Sequence, residues 1–150
     1  MTPEQIALLQ KSWQQATPVG DQLVTRFYDT LFTLDPGLRA LFRNDMPGQR
    51  RKLIKVLNTV IRQLDNLQPL LPVVKALGER HVGYGVRDHD YDTVGAALIS
   101  SLEYFLGDGF DEKTRTAWIQ AYTLLSETMK AAAKNATGSG KSDPAQAEAA

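Results

Sequence analysis

Hydrophobic residues recur at three- and four-residue intervals along most of the chain, a spacing that predicts amphipathic helices. The first helix is expected to begin at Thr2, a typical N-cap residue, with Pro3 in the first turn and Gln5 able to bond back to the cap. Pro18 then ends or bends this helix. Residues 23–32 predict a second helix with a broad apolar face.

The clearest helical stripe covers residues 49–64, after a loop predicted over residues 44–48. The apolar positions of the stripe are Leu53, Val56, Leu57, Val60, Ile61 and Leu64, and its opposite side is basic. Gln49 is the exception, because it places a polar amide at the start of the apolar stripe. It either lies near solvent in the first turn or points into a cavity lined by the stripe.

His81 lies one helical turn beyond Leu77 on the apolar face of the next predicted helix, which is expected to end at Gly83 and Gly85. A lone histidine on such a face is commonly a core residue, and a metal ligand is the alternative. Tyr28 raises a similar question, because a phenol facing the core needs a polar partner there, or has to reach solvent or a carbonyl. The local pattern leaves both alternatives open.

The aspartates around His89 superficially resemble a metal cluster, but aspartates ahead of an apolar helix are ordinary helix caps. Two further helices are predicted over residues 94–105 and 111–129. Beyond them the residues are small and polar, so we predict a folded domain over residues 1–136 and a disordered tail over residues 137–150. The whole pattern predicts an all-α fold.

Composition removes several classes of function. The chain has 150 residues, enough for one domain, and its 17 basic and 17 acidic residues provide no strong field for nucleic acid or a membrane surface. The absence of cysteine excludes disulfides and thiolate zinc sites. Since the first residues do not form a signal peptide and no apolar stretch is long enough to span a bilayer, we expect a soluble, cytoplasmic protein.

Sequence motifs give no support to hydrolase or nucleotide chemistry. The chain contains no GxGxxG turn, GxSxG elbow or HExxH helix. The segment Gly140-Lys141-Ser142 imitates the end of a phosphate-binding loop, but asparagine occupies position 135, where that loop requires glycine. We therefore expect no bound nucleotide.

Several spaced residues together resemble a globin. Tyr28 and Pro36 stand eight residues apart, Pro36 and Phe42 six apart, Gln49 opens the long apolar helix and His81 ends the next one. The chain is most similar to bacterial single-domain haemoglobins related to the haem domain of flavohaemoglobins, and to neuroglobin-like bacterial globins. The resemblance extends from about Pro3 to about Lys134, and it implies a globin fold of six to eight helices around one haem pocket.

The resemblance also implies a cofactor, haem b (iron protoporphyrin IX), and a role for each matching residue. His81 would be the proximal iron ligand, Phe42 the aromatic residue against the porphyrin, and Leu53 an apolar neighbour of the distal Gln49. The remaining apolar wall would come from Leu77, Val86, Val94 and Leu98. Lys52 and Arg80 either reach the haem propionates or stay at the surface.

Tyr91 matches the tyrosine that flavohaemoglobin-like haem domains place near the proximal histidine. Those domains also carry a glutamate there, and the matching position in this chain is Ala133. This departure argues against peroxidase-like activation of oxygen.

Tyr28 and Gln49 can both donate a hydrogen bond to an oxygen molecule in the pocket. Each bond to a charged acceptor contributes about 1.5–3 kcal/mol, so we expect reversible oxygen binding with high affinity and slow release. Nitric oxide dioxygenation is a second reading; it requires a separate reductase, because no flavin or nicotinamide domain fits in the chain. A haem-based gas sensor and a cofactor-free interaction module are further alternatives. We expect a monomer or a weak homodimer.

Overall fold

Residues 1–42 and 45–139 are described by the computed structural model, and within them six α-helices and no β-strand are found. The helices are α1 (Pro3–Ala16), α2 (Gly20–Leu34), α3 (Met46–Arg62), α4 (Leu71–Tyr84), α5 (Asp88–Leu106) and α6 (Glu112–Ser139). Short 3₁₀ turns cover Thr17–Val19, Pro36–Leu41, Gln68–Leu70 and Gly107–Gly109. The all-α prediction is confirmed.

Local sequence signals explain where the outer helices begin. The Thr2 hydroxyl accepts a hydrogen bond from the Gln5 amide at 3.1 Å, and the Gln5 side chain accepts one from the Thr2 amide at 3.0 Å. Asp111 caps α6 by accepting from the Thr114 amide at 2.9 Å, and this bond lowers the pKa of the exposed Asp111 carboxyl. The predicted start of the first helix is confirmed.

Helix α3 begins earlier than the sequence pattern suggested. The loop predicted over residues 44–48 is wrong for Met46, Pro47 and Gly48, which form the first turn of α3. Asp45 makes this possible, because its carboxylate accepts a hydrogen bond from the Gly48 amide at 2.7 Å. Proline is tolerated there, since first-turn amides have no partner within the helix.

One glycine, rather than two, ends α4. Gly83 lies inside the helix, whereas Gly85 follows it with a positive φ of 88°. In this left-handed conformation the Gly85 amide bonds to the Val82 carbonyl at 3.1 Å, and the Val86 amide bonds to the His81 carbonyl at 3.0 Å. The prediction that Gly83 ends the helix is therefore wrong, and His81 lies in the last full turn.

The core lies among α1, α2, α5 and α6, with α3 packed against α2 and α4 against α6. Its two tryptophans meet at 6.2 Å between ring centroids, and both indole N–H groups are bonded. Trp118 donates to the Ser12 hydroxyl at 2.8 Å, and Trp13 donates to the side-chain oxygen Oδ1 of Asn58 at 3.1 Å. The bonded indoles join α1 to α3 and to α6.

The last helix extends into the predicted tail. Helix α6 contains residues 137–139, the first three of the predicted tail, while residues 140–150 lie outside the described part of the chain.

Among the described helices, none combines the length and apolar character that crossing a membrane would require.

Candidate functional site

A largely apolar cavity lies where α3, α4, α5 and α6 converge. The wall residues predicted from the sequence all line it: Phe42, Leu53, Leu77, Val86, Val94 and Leu98. His81 and Tyr91 contribute polar groups to the same wall.

His81 is buried, with 8% of its surface exposed, and its ring orientation is fixed by its own helix. Its Nδ1 lies 2.6 Å from the carbonyl oxygen of Leu77. Because a carbonyl oxygen can only accept, Nδ1 carries a proton, and in the neutral imidazole the lone pair then lies on Nε2. A neutral imidazole with one nitrogen bonded to a backbone carbonyl is the usual form of a metal-ligating histidine.

Tyr91 lies beside His81 and carries an unusual hydroxyl. The two rings are nearly parallel, at 26° and 6.3 Å between centroids. The hydroxyl is buried and has no hydrogen-bond partner among the described residues. Burial, helped by the negative charge of Asp88, raises the pKa of Tyr91 to about 12, so the phenol stays protonated near neutral pH. A polar group of a cofactor in the cavity would satisfy this hydroxyl.

Tyr28 and Gln49 form a buried pair that brings α2 and α3 together. Gln49 Nε2 donates to the Tyr28 hydroxyl oxygen at 3.1 Å, and less than 4% of either residue is exposed. Since the Tyr28 oxygen is the acceptor, its own proton can be donated to another group. Burial raises the pKa of Tyr28 far above its usual value, so the phenol is a donor and not a phenolate.

The pair adjoins the cavity through Phe42 and is not itself among the residues that line it. The Phe42 and Tyr28 rings meet edge to face at 5.4 Å, and Phe32 meets Phe42 at 5.4 Å in the same manner. Arg39 Nη1 donates to the Phe42 carbonyl at 3.0 Å, which holds the end of the 3₁₀ turn in place. Phe42 therefore connects the Tyr28–Gln49 pair to the cavity wall.

Lys52 and Arg80 are not among the lining residues. Lys52 is half-buried and Arg80 is exposed, but each precedes a lining residue, Leu53 and His81 respectively. Their predicted role at the haem propionates stays a prediction.

The acidic segment around His89 is organised by an arginine. Ligand atoms of Asp35, His89 and Asp90 lie within 4.8 Å of one another, an arrangement that could hold a metal ion. The Arg87 guanidinium lies 3.2 Å from the buried Asp90 carboxylate and 3.9 Å from that of Asp35, so a cation already lies beside both carboxylates. Asp90 also accepts the Arg87 amide at 2.8 Å, as expected of a carboxylate in the first turn of α5.

Tyr122 is a site residue that the helical spacing over residues 111–129 did not single out. It lines the cavity, and its hydroxyl donates to the Tyr91 carbonyl at 2.6 Å. Leu125 and Met129 line the cavity from the same face of α6. Helical spacing identified this face as buried, but spacing does not distinguish a packed core from a cavity wall.

A buried imidazole faces an apolar cavity inside a six-helix fold, so the fold and the site define an all-α protein with a candidate cofactor pocket. Comparison with known proteins gives the family. Residues 25–129 match the model of the Globin family, and this chain therefore belongs to the globin family. The resemblance found in the sequence is confirmed, and the globin fold with it.

The relatives include haem domains of longer proteins. The chain is 32% identical over 113 residues to a flavohemoprotein of Chromobacterium violaceum, covering 73% of this chain and 28% of the relative. It is 30% identical over 132 residues to one of Bordetella parapertussis, covering 86% of this chain and 33% of the relative. The chain thus spans about a third of the length of the curated relatives that it matches.

Solved structures show the same fold. A bacterial globin from Campylobacter jejuni matches with a TM-score of 0.79 at 25% identity, over 91% of this chain and 99% of the other. An engineered carbene transferase from Rhodothermus marinus matches with a TM-score of 0.84 at 22% identity, over 93% of this chain and 97% of the other. The globin and flavohemoprotein relatives imply haem binding. The neutral imidazole, the apolar wall and the unbonded Tyr91 hydroxyl fit that cofactor.

The unbonded hydroxyl leads to a stability prediction for the haem-free chain. A buried hydroxyl without a partner costs about 1–3 kcal/mol, so Tyr91→Phe should raise the free energy of unfolding by about 1 kcal/mol. Tyr122→Phe removes a bonded hydroxyl instead and should lower it by about 0.5–1.5 kcal/mol. Urea unfolding of both variants measures these changes. A loss of stability in Tyr91→Phe equal to that in Tyr122→Phe would show that the Tyr91 hydroxyl is bonded in solution.

Proposed function

We propose that this chain is a haem b globin that binds oxygen reversibly with high affinity. The arrangement of His81 carries the proposal, because its protonated Nδ1 is held by the Leu77 carbonyl and its ring faces the apolar cavity. When bound, haem supplies an iron atom with a coordination position for a diatomic gas. His81 Nε2 would hold the iron from the α4 side.

The cavity wall would hold the porphyrin and keep water away from it. Phe42 would pack against the porphyrin face, and Leu53 on α3 would pack above it, opposite His81 on α4. Leu77, Val86, Val94 and Leu98 complete the apolar wall. Lys52 and Arg80 would pair with the two propionates, because each precedes a residue that lines the cavity.

Tyr28 would supply the hydrogen bond that slows oxygen release. Gln49 donates to the Tyr28 oxygen, which orients the phenol and leaves the Tyr28 proton for the gas ligand. A donor bond to a ligand with partial negative charge contributes about 1.5–3 kcal/mol, which is about 10- to 100-fold in affinity. Such affinity suits storage of scarce oxygen, or chemistry on it, better than delivery.

The first test concerns the cofactor itself. The purified chain should take up one equivalent of haemin and give an intense Soret band, and ferrous protein should bind oxygen and carbon monoxide. His81→Ala should shift the Soret band and weaken haem retention, whereas His89→Ala, on the exposed histidine, should change neither. A chain without a Soret band, or one indifferent to His81→Ala, contradicts the proposal.

A second test concerns the donor. Tyr28→Phe should speed oxygen dissociation about 10- to 100-fold, because it removes the only proton that the phenol can donate. Stopped-flow displacement of oxygen by carbon monoxide measures the rate. Tyr104→Phe is the matched control, since that tyrosine is 62% exposed and its ring contacts Arg26 and Phe105, neither of which belongs to the pair. An unchanged rate in Tyr28→Phe removes Tyr28 from the role of donor.

Nitric oxide dioxygenation is the second candidate, and it is favoured by the match in fold to the Rhodothermus marinus protein, which is described as a nitric oxide dioxygenase. The chain matches about a third of the length of the flavohemoprotein relatives. Turnover requires electrons that return ferric iron to the ferrous state, and a reductase is the proposed source of them. The physiological partners would be oxygen, nitric oxide and that reductase.

Rapid mixing distinguishes oxygen storage from dioxygenation. If the chain is a dioxygenase, the oxygenated protein mixed with nitric oxide should give ferric protein and stoichiometric nitrate within the dead time or shortly after it. The ferric spectrum and the nitrate yield are measured in the same sample. Slow or absent nitrate formation would leave oxygen binding as the function.

A further inference from the structure

Helices α4 and α6 approach each other at Gly78 more closely than any larger residue would permit. A Cβ atom on Gly78 would lie 2.4 Å from the carbonyl oxygen of Met129 and 2.8 Å from its Cα. Both are backbone atoms, so no rotation of a side chain relieves the overlap. Glycine is a poor residue for a helix interior, and here its small size allows the contact.

The position of α4 determines the position of the His81 imidazole. His81 follows Gly78 by one helical turn, and its Nδ1 is bonded to Leu77, the residue before Gly78. This bond at 2.6 Å prevents the ring from rotating independently of the helix. A displacement of α4 away from α6 would therefore be transmitted to His81 Nε2.

Helix α6 is in turn fixed against α5, which gives the contact a stable reference. A Cβ on Gly95 of α5 would lie 2.8 Å from the Tyr122 ring of α6, so this pair is also tightly packed. The Tyr122 hydroxyl donates to the Tyr91 carbonyl at 2.6 Å, and the Tyr91 ring stacks on His81. The imidazole thus lies between the Tyr91 ring, whose residue is bonded to α6 through its backbone carbonyl, and helix α4, which packs directly against α6.

We propose that Gly78 is a positioning residue that sets how far the His81 imidazole reaches into the cavity. The inference rests on the proposed haem function. It gives Gly78, which lies outside the cavity wall, control over the length of the iron–histidine bond. A methyl group at position 78 would separate α4 from α6 and draw His81 Nε2 back. The bond would lengthen, and haem would be lost more readily.

Gly78→Ala, with Gly20→Ala as its control, tests the proposal on the haem-loaded protein. Gly20 is also a buried helical glycine, but its Cβ would meet the Ile54 side chain at an ordinary 3.8 Å. Gly78→Ala should release haem to an acceptor globin about tenfold faster. Its iron–histidine stretching band should move to lower frequency in resonance Raman spectra. Gly20→Ala should leave both measurements unchanged.

A second background separates positioning from general loss of structure. In His81→Gly, added imidazole can replace the side chain without a covalent link to α4. Adding Gly78→Ala to that background should leave the iron–imidazole band unchanged, because the replaced ligand no longer moves with the helix. A band shift as large as the one that Gly78→Ala causes when His81 is present would overturn the inference. Gly78→Ala would then act on the whole pocket and not through His81.

The remaining outcomes are also decisive. If Gly78→Ala keeps the wild-type band and haem loss rate, the inference fails while the haem proposal stands. If Gly78→Ala shows no cooperative unfolding by circular dichroism, the contact is a requirement of the whole fold and the inference is overturned. If the unaltered chain binds no haem, the proposed function fails first, and that result is distinct from the other two.

Discussion

The hydrogen bond between His81 Nδ1 and the Leu77 carbonyl fixes two properties of the imidazole at once. It determines which nitrogen carries the proton, and it holds the ring at one rotation relative to α4. Donor and acceptor are four residues apart on one helix, so a regular helix at this point supplies the acceptor. Tertiary packing then determines only the position of the oriented ring. The contact of α4 with α6 and the stacking of the His81 ring on Tyr91 set that position.

Buried polar groups distinguish the site from the core. In the core, the Trp13 indole donates a hydrogen bond to Asn58 and the Trp118 indole donates one to Ser12. Burial therefore leaves neither indole N–H without a partner. In the site, the Tyr91 hydroxyl has no such partner among the described residues. A protein interior tolerates that cost where a ligand offsets it, which makes this orphaned group an independent pointer to a cofactor site.

The sequence predicted the helices, because they depend on short-range spacing that repeats along the chain, and the resemblance to globins supplied the residues that line the cavity. The hydrogen bond between Gln49 and Tyr28 was not predicted, because it joins two helices. The start of α3 was predicted too late, because residues 44–48 have the composition of a loop and the capping role of Asp45 was not recognised. Tyr122 and Gly78 were missed for another reason. Their partners, Tyr91 and Met129, are distant in sequence, and no hydropathy pattern records such contacts.

The two sides of the proposed pocket are built by different helix contacts. The donor side depends on α2 and α3, joined by the bond between Gln49 and Tyr28. The metal side depends on α4 and α6, joined at Gly78 and Met129. The two contacts share no residue, so they depend on different pairs of helices. Under the proposed function, a substitution at the α4–α6 contact would act first on the position of His81, and a substitution in the Tyr28–Gln49 pair would act first on the donor.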